Sequence, residues 1–272
     1  MTDGSTEALG VDFWATMFDG LADSYDQSGV AYFETIARGL VDRLAPQPGE
    51  RVLDLGSGRG AATVRLAEAV GPAGSVTAVD ASARMVELLG ETVRAQGLAQ
   101  VTTLQGDATA PPEGPYDAVS ASLVVFFLPD PVAALSAWRS QLAPGGRLGI
   151  STFGPWPDDI RAIMEVVSAY RPDDGMDPTQ MPEAFRSDES VEGLFRAAGL
   201  DRVRTERATY PVDFRDVDQW LEWALGTAVQ GLWMQVPDEK KPEALDRIAS
   251  ELAARDNRLH VEARYTLASL PE

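Results

Sequence analysis

The chain has 272 residues, 44% of them hydrophobic, so it is long enough to bury a full core in one large domain with an insertion. Its 42 acidic residues outnumber 23 basic ones and give a net charge of -19, which repels phosphate backbones and anionic membranes. Nucleic acid and membranes are therefore not expected as partners, and the absence of cysteine excludes disulfides and thiolate chemistry. The first residues lack the basic flank and apolar run of a secretion signal, so a cytoplasmic location is expected.

Residues 1–48 are predicted to form a helical segment ahead of the first strand. Apolar side chains recur at helical spacing through residues 13–25, and a second amphipathic helix is expected over residues 30–44. Three acidic residues fall near one helical face and are interpreted as a solvent-exposed stripe: Asp19, Asp23 and Asp26.

A short apolar strand that turns into a helix through alternating glycines follows at residues 51–60, with the sequence RVLDLGSGRG. Gly56, Gly58 and Gly60 let a ligand approach the backbone because no Cβ stands in the way. Asp54 lies two residues before the first glycine. The segment predicts a cradle for a nucleoside-type cofactor, although alone it also satisfies the dinucleotide-binding pattern.

Strands and helices alternate after this motif, which is the pattern of a parallel, doubly wound α/β sheet. The second strand ends in Asp80, whose carboxylate can accept hydrogen bonds from both hydroxyls of a ribose. The third strand ends before Asp107, and the fourth begins at Tyr116. A helix and a Pro-Gly-Gly turn over residues 142–146 then precede a fifth strand at residues 147–153. The two acidic strand ends are expected at the same edge of the sheet.

The whole chain, residues 1–272, is interpreted as a single domain. Its parts are a helical N-terminal segment (1–48), a cofactor-binding core (49–153), lid or insert helices (154–186 and 215–257), and the last helix and strands of the core (187–214 and 258–272). Within the insert, helical segments are expected over residues 217–235 and 242–255. The turn-rich residues 171–182 are a candidate lid over the site.

Together, the glycine turn after Asp54, the acidic strand ends at Asp80 and Asp107, and the Pro-Gly-Gly turn resemble the class I S-adenosylmethionine-dependent methyltransferases. The resemblance is strongest to the small-molecule branch that includes the ubiquinone and menaquinone biosynthesis type, and it covers residues 20–155 well. It implies a Rossmann-like, seven-stranded, mostly parallel sheet with the last strand antiparallel beside the fifth. A nicotinamide-binding protein would not be expected to combine Asp54 with the Pro-Gly-Gly turn.

The resemblance implies S-adenosylmethionine as the cofactor. Asp80 resembles the ribose ligand, and Asp107 with Ala108 would meet the amino edge of the adenine. Leu123 would offer its carbonyl to the ammonium group, and Tyr25 would close over the cofactor. The full set of implied cofactor residues is Tyr25, Asp54, Gly56, Ser57, Gly58, Asp80, Ala81, Ser82, Met85, Gly106, Asp107, Ala108 and Leu123.

Several of these residues could instead have a purely structural role. Asp54 could stabilise the glycine turn, and Asp107 could cap the short segment after it. Met85 and Tyr25 could be ordinary core residues, because single apolar side chains on helices more often pack than bind.

Many relatives carry one or two histidines after the fourth strand, where this chain has Phe126 and Phe127. Its only histidine, His260, falls in the predicted last strand, where a surface or partly packed position is expected. An imidazole base is therefore not evident, and the catalytic residue is left unassigned. This favours an amine, an acidic phenol or an electron-rich carbon as nucleophile, or a carboxylate base that the sequence does not place. No metal site is predicted.

Aromatic residues outside the cofactor strands favour an apolar or aromatic substrate. For Trp220 and Trp223, packing of the insert is an equally good explanation. The candidates for substrate contact are Trp14, Phe18, Phe127, Phe153 and Trp156.

The function expected from these features is methyl transfer from S-adenosylmethionine to a small, largely apolar or aromatic metabolite, as in bacterial secondary metabolism. The alternative is a cyclase or another non-methylating enzyme that keeps the cofactor as a structural element, because fold does not fix function. A non-catalytic binding protein has less support, since the set of cofactor motifs is intact. The oligomeric state is left open.

Overall fold

The computed structural model describes residues 10–171, 182–227 and 229–272. The strands are β1 (Arg51–Leu55), β2 (Ser75–Asp80), β3 (Val101–Gln105), β4 (Tyr116–Ser122), β5 (Leu142–Phe153), β6 (Val203–Asp213) and β7 (Arg258–Ser269). The α-helices are α1 (Val11–Leu21), α2 (Phe33–Leu44), α3 (Thr63–Val70), α4 (Ala83–Gln96), α5 (Pro131–Ser140), α6 (Asp158–Ser168), α7 (Asp188–Ala197), α8 (Val217–Leu225), α9 (Gln230–Trp233) and α10 (Lys241–Ala253).

The strands form one seven-stranded sheet in the order β3-β2-β1-β4-β5-β7-β6. Strands β1 to β5 pair in parallel, whereas β7 is antiparallel to both of its neighbours, β5 and β6. The predicted doubly wound sheet with an antiparallel last strand beside the fifth is confirmed. Because the strand order reverses between β1 and β4, the connections that leave their carboxyl ends run to opposite faces of the sheet and leave a crevice there.

Apolar residues pack on both faces of the sheet. One core joins α2 and α3 to the insert helices α6, α8 and α10, and its members include Ile36, Leu66 and Ile163. The other core lies under α5 and α7 and includes Trp138 and Phe195. The insert therefore completes one of the two cores that cover the parallel sheet.

The predicted helical segment over residues 217–235 consists of two helices, α8 and α9. The break follows Leu225, where Gly226 comes against the chain just beyond α1. A Cβ on Gly226 would lie 2.8 Å from the carbonyl oxygen of Ser24, so only glycine allows this approach. The contact joins the insert to the N-terminal segment.

Two smaller predictions need correction. The Pro-Gly-Gly turn belongs to β5 itself, where the pairing with β4 skips from Tyr116–Leu142 to Ala118–Arg147, so extra residues bulge out of the ladder. The second predicted helix starts at Phe33 rather than at residue 30. The candidate lid at residues 171–182 lies outside the described residues except for its two ends.

Candidate functional site

A cavity opens at the carboxyl ends of β1, β2, β3 and β4, and α1 lies along one side of it. Its volume is about 1100 Å³ including the open mouth. Every residue predicted for the cofactor lines this cavity except Ser82. The position is that expected for ligands of open α/β sheets, outside the carboxyl ends of the strands at a switch in strand order.

The glycine turn after β1 forms the floor of this first cavity. Gly56 and Gly58 have φ values of 63° and 51°, in the left-handed region that favours glycine. A Cβ on Gly56 would lie 2.2 Å from a methyl group of Val124, whereas a Cβ on Gly58 would meet nothing within 4 Å. Packing therefore requires the first glycine, and the second leaves a space beside the cavity that a side chain would fill.

Asp80, at the end of β2, is held by two backbone amides. Its Oδ2 accepts a hydrogen bond from the amide of Gly58 at 2.7 Å, and its Oδ1 accepts one from Ser82 at 2.9 Å. Burial raises the pKa of Asp80, and these two hydrogen bonds oppose the rise. The carboxylate is thus fixed in position at the cavity wall, with lone pairs left for hydroxyl donors.

Asp54 is buried under the glycine turn, with 1% of its surface exposed. The hydroxyl of Thr63, the first residue of α3, donates to its Oδ2 at 2.6 Å. Burial raises the pKa of Asp54 to about 6, although this hydrogen bond opposes the rise. Asp54 therefore ties β1 to the first residue of α3 on the other side of the glycine turn, and it also lines the cavity.

Sequence reasoning missed two charged residues that line the cavity, Asp26 and Arg59. Burial and the nearby Glu34 raise the pKa of Asp26 to about 6, and Arg59 opposes the rise. The Arg59 guanidinium donates to the carbonyl oxygens of Ala22 at 2.7 Å and Asp23 at 3.3 Å, so it fixes the segment after α1 to the glycine turn. The position of Arg59 between two glycines was the signal that could have indicated it.

Charge in the first cavity is predominantly negative. Among the described residues that line it, the charged side chains are Asp26, Arg59, Asp54, Asp80 and Asp107. A sulfonium and an ammonium group fit this surplus of carboxylates, whereas the pyrophosphate of a dinucleotide would be repelled by it. The donor set therefore fits S-adenosylmethionine and disfavours the nicotinamide alternative.

Ser82 has a different position from the one predicted. Its side chain is fully buried at the N-terminus of α4, where its Oγ accepts a hydrogen bond from the amide of Met85 at 3.1 Å. The same hydroxyl donates to Oδ1 of Asp19 at 2.5 Å. Ser82 thus caps the helix and binds α1, while Met85, one turn further on, lines the cavity.

Asp26 departs from the predicted solvent-exposed stripe, because it is half-buried and lines the first cavity, whereas Asp19 and Asp23 are exposed as predicted. Both carboxylates contact the start of α4, where Asp19 accepts from the amide of Arg84 at 3.1 Å and Asp23 pairs with its guanidinium at 2.7 Å. Helical periodicity places such acids on one face but does not show which distant element meets that face.

Leu123 follows β4 with φ of 58°, which is an uncommon backbone conformation for a leucine. Its amide donates to both the carbonyl oxygen and the Oγ of Ser151, each at 3.1 Å, and these bonds hold the strained residue in place. Backbone strain of this kind clusters at functional sites. Leu123 borders the first cavity and also the one beside it.

A second cavity of about 1110 Å³, again including its mouth, adjoins the first. Its lining is mostly apolar and about half aromatic, and it comes from the N-terminal segment, the residues after β4, the end of β5, β7 and the insert helices. The two cavities share a wall made by Phe18, Tyr25, Phe33, Leu123 and Phe127. The two cavities therefore lie directly beside each other along these residues.

The five predicted substrate residues are divided between the cavities. Phe153 and Trp156 line the second cavity, and Phe18 and Phe127 border both. Trp14 lines only the first cavity, with its ring 4.6 Å from that of Phe127, so its predicted substrate contact is not supported by its position.

The insert tryptophans also differ from each other in position. Trp220 is fully buried in the core, whereas Trp223 lines the second cavity. Packing therefore accounts for both residues, since Trp223 is also buried in this core, and Trp223 contributes to the cavity wall as well.

His260 lies on β7 with its Nδ1 2.7 Å from Oδ2 of Asp159, partly exposed as expected. Across the described ranges, no group of three or more histidine, cysteine or acidic residues is arranged to hold a metal ion. No helix in the described part of the chain is long and apolar enough to cross a membrane.

Sequence comparison shows which known proteins this chain is similar to. A sequence profile of the family described as "Methyltransferase domain" matches residues 52–146. The chain is 29% identical over 273 residues to the nocamycin O-methyltransferase of Saccharothrix syringae, an alignment that covers 93% of this chain and 95% of that protein. It is 39% identical over 137 residues to the aklanonic acid methyltransferase DauC of Streptomyces sp. strain C5, covering 50% of this chain and 62% of that protein.

Among solved structures, the [4+2]-cyclase SpnF superposes with a TM-score of 0.59 at 18% identity, over 97% of this chain and 98% of that one. At this identity the likeness shows a shared fold. The family profile and the relative aligned along nearly its whole length are both methyltransferases. The glycine turn and the carboxylate-lined cavity agree with a cofactor site of that kind. Residues 52–146 carry a methyltransferase domain, the chain is similar along most of its length to S-adenosylmethionine-dependent methyltransferases, and S-adenosylmethionine is its cofactor.

Proposed function

We propose that this protein transfers the methyl group of S-adenosylmethionine to an oxygen atom of a small, largely apolar or aromatic metabolite of bacterial secondary metabolism. The observation that carries the proposal is that the two cavities share a wall. A cavity suited to the cofactor therefore lies directly beside an aromatic cavity suited to such an acceptor. Oxygen as the acceptor atom is supported by the relative that methylates an oxygen, nocamycin O-methyltransferase, which aligns along nearly its whole length.

The residues of the first cavity have distinct roles in this proposal. The fixed carboxylate of Asp80 accepts hydrogen bonds from the ribose hydroxyls, and Asp107 with Ala108 meets the adenine. The carbonyl of Leu123 faces the ammonium group, and the open space at Gly58 admits the methionine portion. Each of these residues lines the cavity.

When bound, S-adenosylmethionine supplies a methyl group that its sulfonium has already activated. The protein has to hold the acceptor oxygen in line with the carbon–sulfur bond at a distance of about 3 Å and keep water out. Phe18, Phe33 and Phe127 in the shared wall exclude water from the meeting point. Transfer forms the carbon–oxygen bond, breaks the carbon–sulfur bond and releases S-adenosylhomocysteine. An acceptor that enters as a carboxylate or an ionised phenol has no proton to lose, so the step needs no base from the protein.

A labelling experiment tests the proposal against the non-methylating alternative. The protein is incubated with methyl-labelled S-adenosylmethionine and a panel of apolar aromatic hydroxy and carboxylic acids, and both the extractable label and S-adenosylhomocysteine are measured. We expect equal amounts of the two. Conversion of an acceptor with no S-adenosylhomocysteine would instead establish a cyclase-type activity, and no conversion of any kind would leave only a binding role.

Replacing Trp156 tests the assignment of the two cavities. Trp156→Ala removes an aromatic wall of the second cavity, so we expect KM for the acceptor to rise about tenfold through lost apolar burial. Affinity for S-adenosylhomocysteine is expected to stay within about twofold, because Trp156 does not line the first cavity. Steady-state kinetics and calorimetry measure the two quantities, and an equal loss in both would contradict the division into donor and acceptor cavities.

Alanine substitutions in the glycine turn are expected to separate folding from binding. Gly56→Ala should lower the free energy of unfolding by about 2–5 kcal/mol, because a methyl group pressed against Val124 adds to the strain of positive φ. Gly58→Ala should cost about 1–2 kcal/mol of strain alone but weaken cofactor binding by filling the cradle. Urea denaturation and calorimetry measure these effects, and tight binding by Gly58→Ala would contradict the cradle.

Other features stay predictions from the sequence. These are the cytoplasmic location, the exclusion of nucleic acid as a partner, and the division of one domain into core, N-terminal segment and insert. The fold supports the last of these, since residues from α1, α6 and α8 reach the two cavities that the core opens.

A further inference from the structure

The helix α1 is joined to the ribose end of the first cavity by a continuous chain of hydrogen bonds. Oδ1 of Asp19 accepts from the hydroxyl of Ser82 at 2.5 Å and from the amide of Arg84 at 3.1 Å. The amide of Ser82 in turn donates to Oδ1 of Asp80 at 2.9 Å. Asp80 and Asp19 thus bind the same serine, Asp80 through its amide and Asp19 through its hydroxyl.

The central residue of this chain has little freedom. Ser82 is fully buried, and its hydroxyl also accepts the amide of Met85 at 3.1 Å, which caps α4. A change in the orientation of this serine therefore changes the amide that orients the carboxylate of Asp80. Loss of one partner in such a hydrogen-bond network weakens the remaining hydrogen bonds.

The other end of the chain is the helix that covers the cavity. Trp14 and Phe18 of α1 line the cavity on one face of the helix, and Asp19 reaches α4. Asp23, just beyond α1, adds hydrogen bonds to the Arg84 guanidinium at 2.7 and 3.1 Å. The carboxylates of Asp19 and Asp23 therefore both bind the first turn of α4, next to Asp80.

We propose that Asp19 is a positioning residue for cofactor binding, which acts through Ser82 to orient Asp80 toward the ribose. The inference rests on the proposed role of Asp80 in the cofactor site. Asp19 does not line the cavity itself, so its effect comes through the residues it holds.

Calorimetric titration with S-adenosylhomocysteine tests this role. We expect Asp19→Ala to raise Kd about fivefold, because the hydroxyl of Ser82 and the amide of Arg84 lose their acceptor. Asp19→Asn should stay within about twofold of the wild type, because its carbonyl oxygen still accepts both hydrogen bonds. Asp12→Ala is the matched control, since it removes an exposed carboxylate from the same helix and should change nothing.

A double-mutant cycle separates positioning from general loss of charge or stability. In an Asp80→Ala background, Asp19→Ala should cause no further rise in Kd, because the group it orients is gone. The inference would be overturned by full additivity in the cycle, by equal effects of Asp19→Ala and Asp12→Ala, or by failure of Asp19→Asn to restore binding. If Asp80→Ala itself binds as tightly as the wild type, the proposed cofactor role of Asp80 fails, and the inference fails with it.

Discussion

Asp80→Ala is expected to weaken binding of S-adenosylmethionine about ten- to hundredfold. The substitution removes a charged acceptor whose two oxygens are already oriented by the amides of Gly58 and Ser82, and such contacts contribute about 1–3 kcal/mol. Because the carboxylate is fixed before the ligand arrives, little of this contribution is lost to ordering. Isothermal titration calorimetry on the purified variant measures the change.

Glu91→Ala provides the matched control for this substitution. Glu91 is an exposed acid on α4, the helix that follows Asp80, so its removal changes the net charge by the same amount. We expect its affinity to equal that of the wild type. Equal losses of affinity in the two variants would show that Asp80 contributes only to the overall negative electrostatic potential of the protein.

Affinity for S-adenosylmethionine is expected to rise about ten- to hundredfold between pH 5 and pH 7. Burial is the main cause that raises the pKa of both Asp26 and Asp54 from 3.8 to about 6, so both carboxyl groups are largely protonated at pH 5 in the free protein. The cationic cofactor prefers the ionised carboxylates, and each group that must lose a proton contributes up to about tenfold per pH unit below its pKa.

The same shifts have the opposite effect on the stability of the free protein. A carboxyl group whose pKa is higher in the folded state than in the unfolded state favours folding when it is protonated. This contribution is present below about pH 4 and is lost as the pH rises through about 6. The cofactor should therefore stabilise the protein more at pH 7 than at pH 5.

Adenosine is the control ligand for the pH series, because it carries neither the sulfonium nor the ammonium group. Its affinity is expected to stay nearly constant between pH 5 and pH 7. Calorimetry at several pH values in this range measures both ligands. Parallel pH dependences for adenosine and S-adenosylmethionine, or tighter cofactor binding at pH 5, would contradict the proposed charge match.

The sequence was sufficient to predict the sheet and most of the first cavity, because these depend on local patterns. The glycines and acids lie within one or two residues of strand ends, and parallel strands bring their carboxyl ends to one edge. Asp54, Gly58 and Asp80 therefore line one cavity as predicted. Ser82 does not line the cavity as predicted, because its side chain is directed by a hydrogen bond to Asp19, 63 residues away.

The second cavity depends on contacts that no local pattern contains. Phe153, Trp156, Trp223 and Val261 come together there only because β7 lies beside β5 and the insert packs against α2. The aromatic composition predicted an aromatic pocket, but it could not show that Trp223 lines this cavity whereas Trp220, buried in the same core, does not. The break at Gly226 has the same origin, since it depends on the distant carbonyl of Ser24.

The most direct test of the central claim is a calorimetric titration of the purified protein with S-adenosylhomocysteine, with NADH as the comparison ligand. The carboxylate-lined cavity and its glycine cradle predict micromolar binding of S-adenosylhomocysteine and no binding of NADH, whose pyrophosphate the cavity would repel. Binding of NADH, or of neither ligand, would contradict the assignment of the first cavity and the methyl transfer that depends on it.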